Sequence, residues 1–387
     1  MNRSVVAIAR TPDHPSAREV SAVVRKAVDL AGGLGGVIAR GALVLIKPNL
    51  VAVPPSPDAG ACTRASVCRA LADIVDELGG RPVIAESSAR GIDTEKVMEV
   101  MGYSSLRQQG YEVVDLKRTK TVKVPVPEGL VLREVTTYEL VMQAEAIISV
   151  PVMKTHDQTD VSLSLKNLKG LVTDVEKRRI HQLGVFEGVC DLYTLFRPAF
   201  AVVDGTTAQE GLGPVYGLPV EMNLIVAGRD LLAVDAATSE AMGFDPQEVR
   251  LLRMAAARGL GLLSTEGIEV VGEKVEDVRR RFLRMEEDKR IQLGNIQVIH
   301  AEGSCTGCRN GVLSSLFDMM QAGTIERAQG MVIVTGGAVP PAETPSANAV
   351  PVGVCCPDRL KALPRYVKGC PPNNVDIVEA ITRTLGG

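Results

Sequence analysis

The chain has no tryptophan, and aromatic residues make up only 3% of its 387 residues. Its cores must therefore be built from Val, Leu, Ile, Ala and Met. No apolar run is long enough to span a bilayer; the longest, at 43–46 and 146–150, are strand-length. Neither sign of charge dominates. The formal net charge is -3, which argues against a general nucleic-acid binder. No secretory signal opens the chain, because residues 1–10 already read as a strand, so a cytoplasmic location without a membrane span is expected. There is no G-x-G-x-x-G or Walker A loop, no H-E-x-x-H, no G-x-S-x-G and no EF-hand pattern. Internal repeats and low-complexity tracts are also absent.

What is present reads as an ordinary soluble composition, 45% hydrophobic and 23% charged. The length suits two domains. Short β-branched runs at 5–8, 43–46, 82–85, 113–115, 146–150, 200–204 and 224–227 alternate with amphipathic stretches at 16–31, 64–78, 94–101 and 231–242. That alternation predicts an α/β fold with a mostly parallel sheet. Polar turns follow the strands: Lys47-Pro48-Asn49, Glu86-Ser87-Ser88, Lys154-Thr155-His156 and Asp204-Gly205. In such folds the chemistry lies outside the carboxyl ends of the strands. The charge-dense stretch 273–290 reads as a solvated helical connector. A boundary is placed near residue 292, giving domains 1–291 and 292–387. The second reads as strands at 296–300, 331–335 and 350–354 with helices at 312–321 and 376–384.

Four cysteines in this last part are spaced like the ligands of an iron–sulfur cluster. They are Cys305 and Cys308 in Gly303-Ser304-Cys305-Thr306-Gly307-Cys308, Cys355 in Gly353-Val354-Cys355-Cys356, and Cys370 in Gly369-Cys370-Pro371-Pro372. A [4Fe–4S] cluster needs four thiolates converging from different directions. A glycine beside a ligand lets the backbone approach the cluster and donate to its sulfides. Structural zinc would show two paired-cysteine knuckles, and only one clear pair exists here. Disulfides fit poorly without a secretory signal. Cys62, Cys68 and Cys190 lie in apolar surroundings and read as core residues.

A second polar constellation spans 151–181. Lys154, Lys166 and Lys169, with His156, His181 and Asn167, can converge on a carboxylate or phosphate, and Lys47 and Asn49 can join them. Solvated lysines and structurally bonded histidines are the alternative. Asp204 ends an apolar strand, where a carboxylate orients a base, binds a cation or forms a turn, and Glu210 lies between turn residues.

Residues 1 to about 272 resemble the family called domain of unknown function 362. The likeness rests on Ile46-Lys47-Pro48-Asn49, Val152-Met153-Lys154-Thr155-His156, Ser164-Leu165-Lys166-Asn167-Leu168-Lys169-Gly170, His181, Val203-Asp204-Gly205, Glu210-Gly211-Leu212-Gly213-Pro214 and residues 230–243. It implies functional roles for Lys154, His156, Lys169, His181 and Asp204 but supplies no reaction. Many members carry iron–sulfur cysteines in a ferredoxin-like module, which this chain lacks. The cysteine motifs, with Val367-Lys368-Gly369-Cys370-Pro371-Pro372, resemble the proximal-cluster motifs of nickel–iron hydrogenase small subunits and the related complex I small subunit. That resemblance implies a small flavodoxin-like domain with one [4Fe–4S] cluster on Cys305, Cys308, Cys355 and Cys370. It offers no counterpart for Cys356, the neighbour of the third ligand. The chain is too short for the further clusters of those subunits and has no nickel-binding motif.

The leading expectation is an iron–sulfur redox protein with a small anionic substrate and a redox partner such as ferredoxin. A non-redox racemase, isomerase or lyase with a structural or Lewis-acid cluster is the first alternative. A cluster or electron carrier is the second. An exposed cluster favours an anaerobic setting, and the reading allows a homo-oligomer. Arg359, Lys361, Arg365 and Lys368, with Asp358 as their only acid, form a basic run expected to dock an acidic partner.

Overall fold

The computed structural model describes residues 3–301 and 304–384. Met1, Asn2 and Gly303, which belong to the expected first strand and first cysteine turn, lie outside the described residues. The chain forms two compact units. The first comprises Met1–His156, Val161–Lys177 and Phe186–Phe282; the second comprises Asp157–Asp160, Arg178–Val185 and Leu283–Gly387.

The strands up to residue 272 are β1 (Ser4–Arg10), β2 (Leu43–Pro48), β3 (Arg81–Glu86), β4 (Val113–Asp115), β5 (Thr121–Pro125), β6 (Glu134–Tyr138), β7 (Ala146–Val150), β8 (Val152–His156), β9 (Asp160–Ser162), β10 (Phe200–Glu210), β11 (Leu218–Val220), β12 (Leu224–Gly228) and β13 (Ile268–Gly272). The main sheet runs β13-β1-β12-β10-β7-β2-β3-β4. The five strands from β10 to β4 are parallel to one another. β12 is antiparallel to both β1 and β10. This is the expected α/β architecture with a mostly parallel sheet. β2 and β7 are near-continuous apolar runs buried on both faces, as central parallel strands require.

Helices Ala17–Leu30 and Ala65–Glu77 bury Val20, Val24, Leu71 and Val75 in the core against Ile46 and Ile148. The first helix starts at a capping box. The Glu19 N–H donates to Ser16 Oγ at 3.3 Å, and the Ser16 N–H donates to Glu19 Oε2 at 2.8 Å. Helix Leu231–Ala241 is buried almost all round.

Three local expectations fail. Asp204-Gly205, expected as a turn ending a strand at 204, lies inside β10, where pairing continues to Glu210. Lys154-Thr155-His156, expected as a turn, lies in strand β8, where five consecutive buried residues extend the sheet's polar end. The stretch 273–290 is not a continuous helix: only Val275–Val278 and the single turn Met285–Glu287 are helical. There the Arg280 and Phe282 N–H groups donate to Ala241 O and Met242 O at 2.8 and 3.0 Å. The chain thus satisfies carbonyls at the end of a neighbouring helix in place of its own.

In the second unit, β14 (Gln297–His300), β15 (Val332–Thr335) and β16 (Ala349–Val352) form a parallel sheet in that order. Helices Thr306–Gln321 and Asn374–Thr382 pack Val312, Leu316 and Ile377 against Ile333, Val350 and Val352. A parallel bridge joins Val352 to Val367. Among the described residues, no helix is long and apolar enough to cross a membrane.

Arg365, expected in an exposed basic run, is buried. Its guanidinium bonds Ala347 O, Ala380 O at 2.6 Å and Ile381 O at 3.0 Å. The last two are carbonyls at the end of helix Asn374–Thr382, where a fixed cation is favourable. Arg365→Ala strands these groups and should cost about 2–4 kcal/mol. Hydrogen exchange should report loss of protection in helix Asn374–Thr382 while β10 keeps its own.

Candidate functional site

Lys47, at the end of β2, is fully buried. Its three ammonium donors reach Glu86 Oε2, Asn167 Oδ1 and Pro48 O, each at 2.8 Å. Glu86, at the end of β3, also accepts from the Ser87 N–H at 2.7 Å and the Leu50 N–H at 3.1 Å. The amide of Asn167 donates to Lys47 O at 3.0 Å and Ser149 Oγ at 3.1 Å. A Cβ on Gly170 would come within 2.6 Å of Lys47 Nζ and closer still to Glu86 Oε1. Glycine there is a packing requirement. Asp235 anchors the start of this motif by accepting the Ser164 and Leu165 N–H groups at 2.8 and 2.9 Å. Burial pushes its carboxyl up to about 7 against those hydrogen bonds.

The other buried lysines differ in how their charge is met. Lys177 donates to Ser87 O and Oγ, both at 2.9 Å, Ser88 O at 2.6 Å and Asp174 Oδ1 at 3.2 Å. Lys154 is fully buried and, among the described residues, donates only to Ala61 O at 2.6 Å and Pro214 O at 3.0 Å. No carboxylate touches it. Burial pushes its ammonium down to about 7; the Cys62 thiol opposes this and Lys166 adds to it. His156 lies two residues along β8, on the same side of the strand as Lys154. Its Nε2 is 2.9 Å from Lys166 Nζ. Lys169 is half-buried on the turn Leu168–Leu171.

Asp204 is buried elsewhere in this unit. It accepts the Arg64 N–H at 2.8 Å, and the Thr206 N–H and hydroxyl at 3.1 and 2.6 Å. Burial raises its carboxyl pKa against these bonds. His181 belongs to the second unit, where its carbonyl accepts the Cys370 N–H at 3.1 Å; the Val185 N–H in turn donates to Cys370 O at 2.9 Å. The segment carrying His181 thus pins the backbone of Cys370.

All four predicted cysteines lie at the carboxyl end of the small parallel sheet. Cys305 follows β14 and caps helix Thr306–Gln321; Cys308 sits in its first turn; Cys355 follows β16; Cys370 follows the Val367 bridge. The Cys308 thiol pKa is strongly raised, first by its hydrogen bond with Cys305, then by burial and the charges of Cys305, Cys370 and Cys355. Four sulfurs therefore share one neighbourhood, and none of the eight cysteines is paired in a disulfide. Gly353 has φ +101°, and a Cβ there would come within 2.9 Å of Cys308 Sγ. Cys356 turns inward, packs with Val334, Ala338 and Leu360, and donates to Val352 O at 3.4 Å. Cys62, Cys68 and Cys190 are buried. Among the described residues, no three His, Cys, Asp or Glu side chains close on a single metal ion. A chain missed in the sequence runs from His300 Nδ1 to Thr335 Oγ1 and on to Ser304 Oγ, 2.7 Å at each step. Asp235 was also missed; an aspartate inside the apolar run Leu231-Leu232-Ala233-Val234 was its available signal.

The chain belongs to the family described as Domain of unknown function (DUF362), which matches residues 44–240. That span contains Lys47, Glu86, Lys154, His156, Asn167, Lys169, Gly170, His181 and Asp204, and ends before the four cysteines. The thylakoid-associated protein sll1697 of Synechocystis sp. is 29% identical over 259 residues, 63% of this chain and 76% of that protein. The lactate racemase apoprotein from Thermoanaerobacterium thermosaccharolyticum aligns with a TM-score of 0.36 and 13% identity, covering 86% of this chain and 69% of that one.

Glu86→Ala leaves Lys47 buried with no counter-charge and should cost about 3–5 kcal/mol in urea unfolding. The double variant Lys47→Met/Glu86→Leu should cost less. For Lys154, a folded pKa near 7 lies below the unfolded value of about 10.4, so between them the unfolded chain binds the extra proton. Stability should therefore rise with pH from 7 towards 8.5. Above about 8.5, the buried thiols of Cys62, Cys68 and Cys190, held protonated by burial, work the other way. The stability difference between wild type and Lys154→Met should change by about 1.4 kcal/mol per pH unit across that window.

Proposed function

We propose that the chain is an iron–sulfur redox protein. Cys305, Cys308, Cys355 and Cys370 hold a [4Fe–4S] cluster, and Lys154, Lys166 and His156 of the larger unit bind a small anionic substrate. The observation that carries this reading is the gathering of four cysteine sulfurs at the carboxyl end of one parallel sheet, with Gly353 closing on Cys308 where a side chain would not fit. Three cysteines on separate loops and one in the first turn of a helix suit the ligand set of a cubane. Cys355 fits the third position better than Cys356, because Cys355 acts electrostatically on Cys308 while Cys356 is packed in an apolar cluster.

Such a cluster supplies one-electron transfer when bound. The chain's own part is to fix the thiols, shield Cys308 and leave Cys355 exposed. Arg359 and Lys368 are exposed beside that end in sequence, and suit an acidic redox partner such as a ferredoxin. A second reading, a racemase, isomerase or lyase acting on a small acid, is favoured by one feature: a buried lysine without a carboxylate partner suits proton transfer. Turnover without an external electron donor would select it.

The test is anaerobic purification followed by iron and sulfide assays and visible absorption. About four irons per chain are expected. Cys305→Ser, Cys308→Ser, Cys355→Ser and Cys370→Ser should each lower iron content sharply, while Cys356→Ser, Cys62→Ser, Cys68→Ser and Cys190→Ser should not. Equal iron loss in both groups, or iron-free wild-type protein, defeats the assignment.

A further inference from the structure

Four lysines of the first unit are buried; Lys166 is bonded to His156, and Lys47 and Lys177 are fully committed. Lys47 meets three acceptors, one a carboxylate, and Lys177 meets four, one a carboxylate. Lys154 meets two backbone carbonyls and no carboxylate. A charged ammonium has three donors, whereas a neutral amine has two and one lone pair. The two carbonyls match the neutral amine, and they leave its lone pair unassigned. The groups acting on Lys154 are Cys62, Lys166, Glu86 and Lys47. Glu86 is already bound to Lys47. Of the cations, Lys166 acts most strongly on it, and Lys166 is bonded to His156 on the same strand face. Desolvation and a neighbouring cation are two recurring ways to make a lysine amine nucleophilic.

We propose that Lys154 condenses with the carbonyl of a small 2-oxo acid to form an imine, while Lys166 holds the acid's carboxylate. This rests on the anion-binding reading of the larger unit and names its substrate class. The amine lone pair attacks the carbonyl carbon, forming a C–N bond. Proton transfer to the former carbonyl oxygen lets it leave as water, and the C=N bond remains. No oxidant or reductant is consumed. Lys154 is fully buried, so the proposal requires the loops at 49–64 and 211–217, whose carbonyls accept from it, to part for the substrate.

The test is reductive trapping on the full chain. Wild-type protein is incubated with pyruvate and sodium borohydride, then mapped by peptide mass spectrometry. One reduced adduct per chain is expected, on Lys154, with a yield that rises through pH 7. Lys166→Gln should lower the pyruvate adduct roughly tenfold or more and lower trapping of neutral acetone much less, only by the share that the lost neighbouring charge contributes to the amine. The main readout is made on wild-type protein, so misfolding of a variant does not obscure it. Adducts confined to other lysines, or an unmodified Lys154 across pH 6–9, overturn the proposal. An equal loss of both adducts in Lys166→Gln also overturns the role given to Lys166. Iron is assayed on the same samples. Iron-loaded protein without the adduct refutes the imine alone, and iron-free protein with it refutes the cluster alone.

Discussion

An ammonium group removed from water must be met by acceptors or lose its proton. At Lys47 the fold meets it completely, with a carboxylate, an amide oxygen and a backbone carbonyl. Those three partners come from the ends of two adjacent parallel strands and from the turn at 164–170. The ion pair therefore positions the polar end of the sheet. Asn167 reaches back to Lys47 O and Ser149, and Asp235 holds the backbone from which Asn167 projects. Gly170 lies against the pair so closely that any side chain would displace it. Such a network stabilises mainly by leaving nothing unpaired, since the Coulombic gain is largely offset by desolvation.

This sorts the motif residues by what they do. Lys47, Asn167 and Gly170 are architectural. Asp204 is held by two backbone N–H groups and a hydroxyl, which suits a loop-fixing carboxylate. Lys154 stands apart because its acceptors are carbonyls alone, so its charge is not compensated and its proton is easily lost. The second unit follows the same logic with sulfur. Its parallel strands all deliver their following loops to one end, and the cysteines ride on those loops or in the helical turn that follows. Arg365 shows why a basic run is not automatically a docking surface: its charge is spent on helix-end carbonyls inside the unit.

Much of the fold was legible because its cause is local. β4 and β7 have the bounds that β-branched patterning predicts, and helix Ala17–Leu30 fills the amphipathic stretch expected at 16–31. The candidate site was legible as residue types at strand ends. What local patterning did not carry was partnership. β8 looked like a turn because Lys154-Thr155-His156 is polar, and only its place in the sheet makes it a buried strand. The stretch 273–290 has helical charge spacing, but its N–H groups find carbonyls on a distant helix. His181 sits in sequence among the lysines yet folds into the unit of the cysteines.

The sequence by itself determined the α/β class, the family motifs and the four cysteines, because periodicity and spacing are properties of neighbouring residues. Tertiary structure alone decided which lysine is left without a counter-charge, which arginine is buried, and that Cys356 faces inward while Cys355 faces out. Those distinctions depend on desolvation and on acceptors far away in the chain. No local pattern encodes either one.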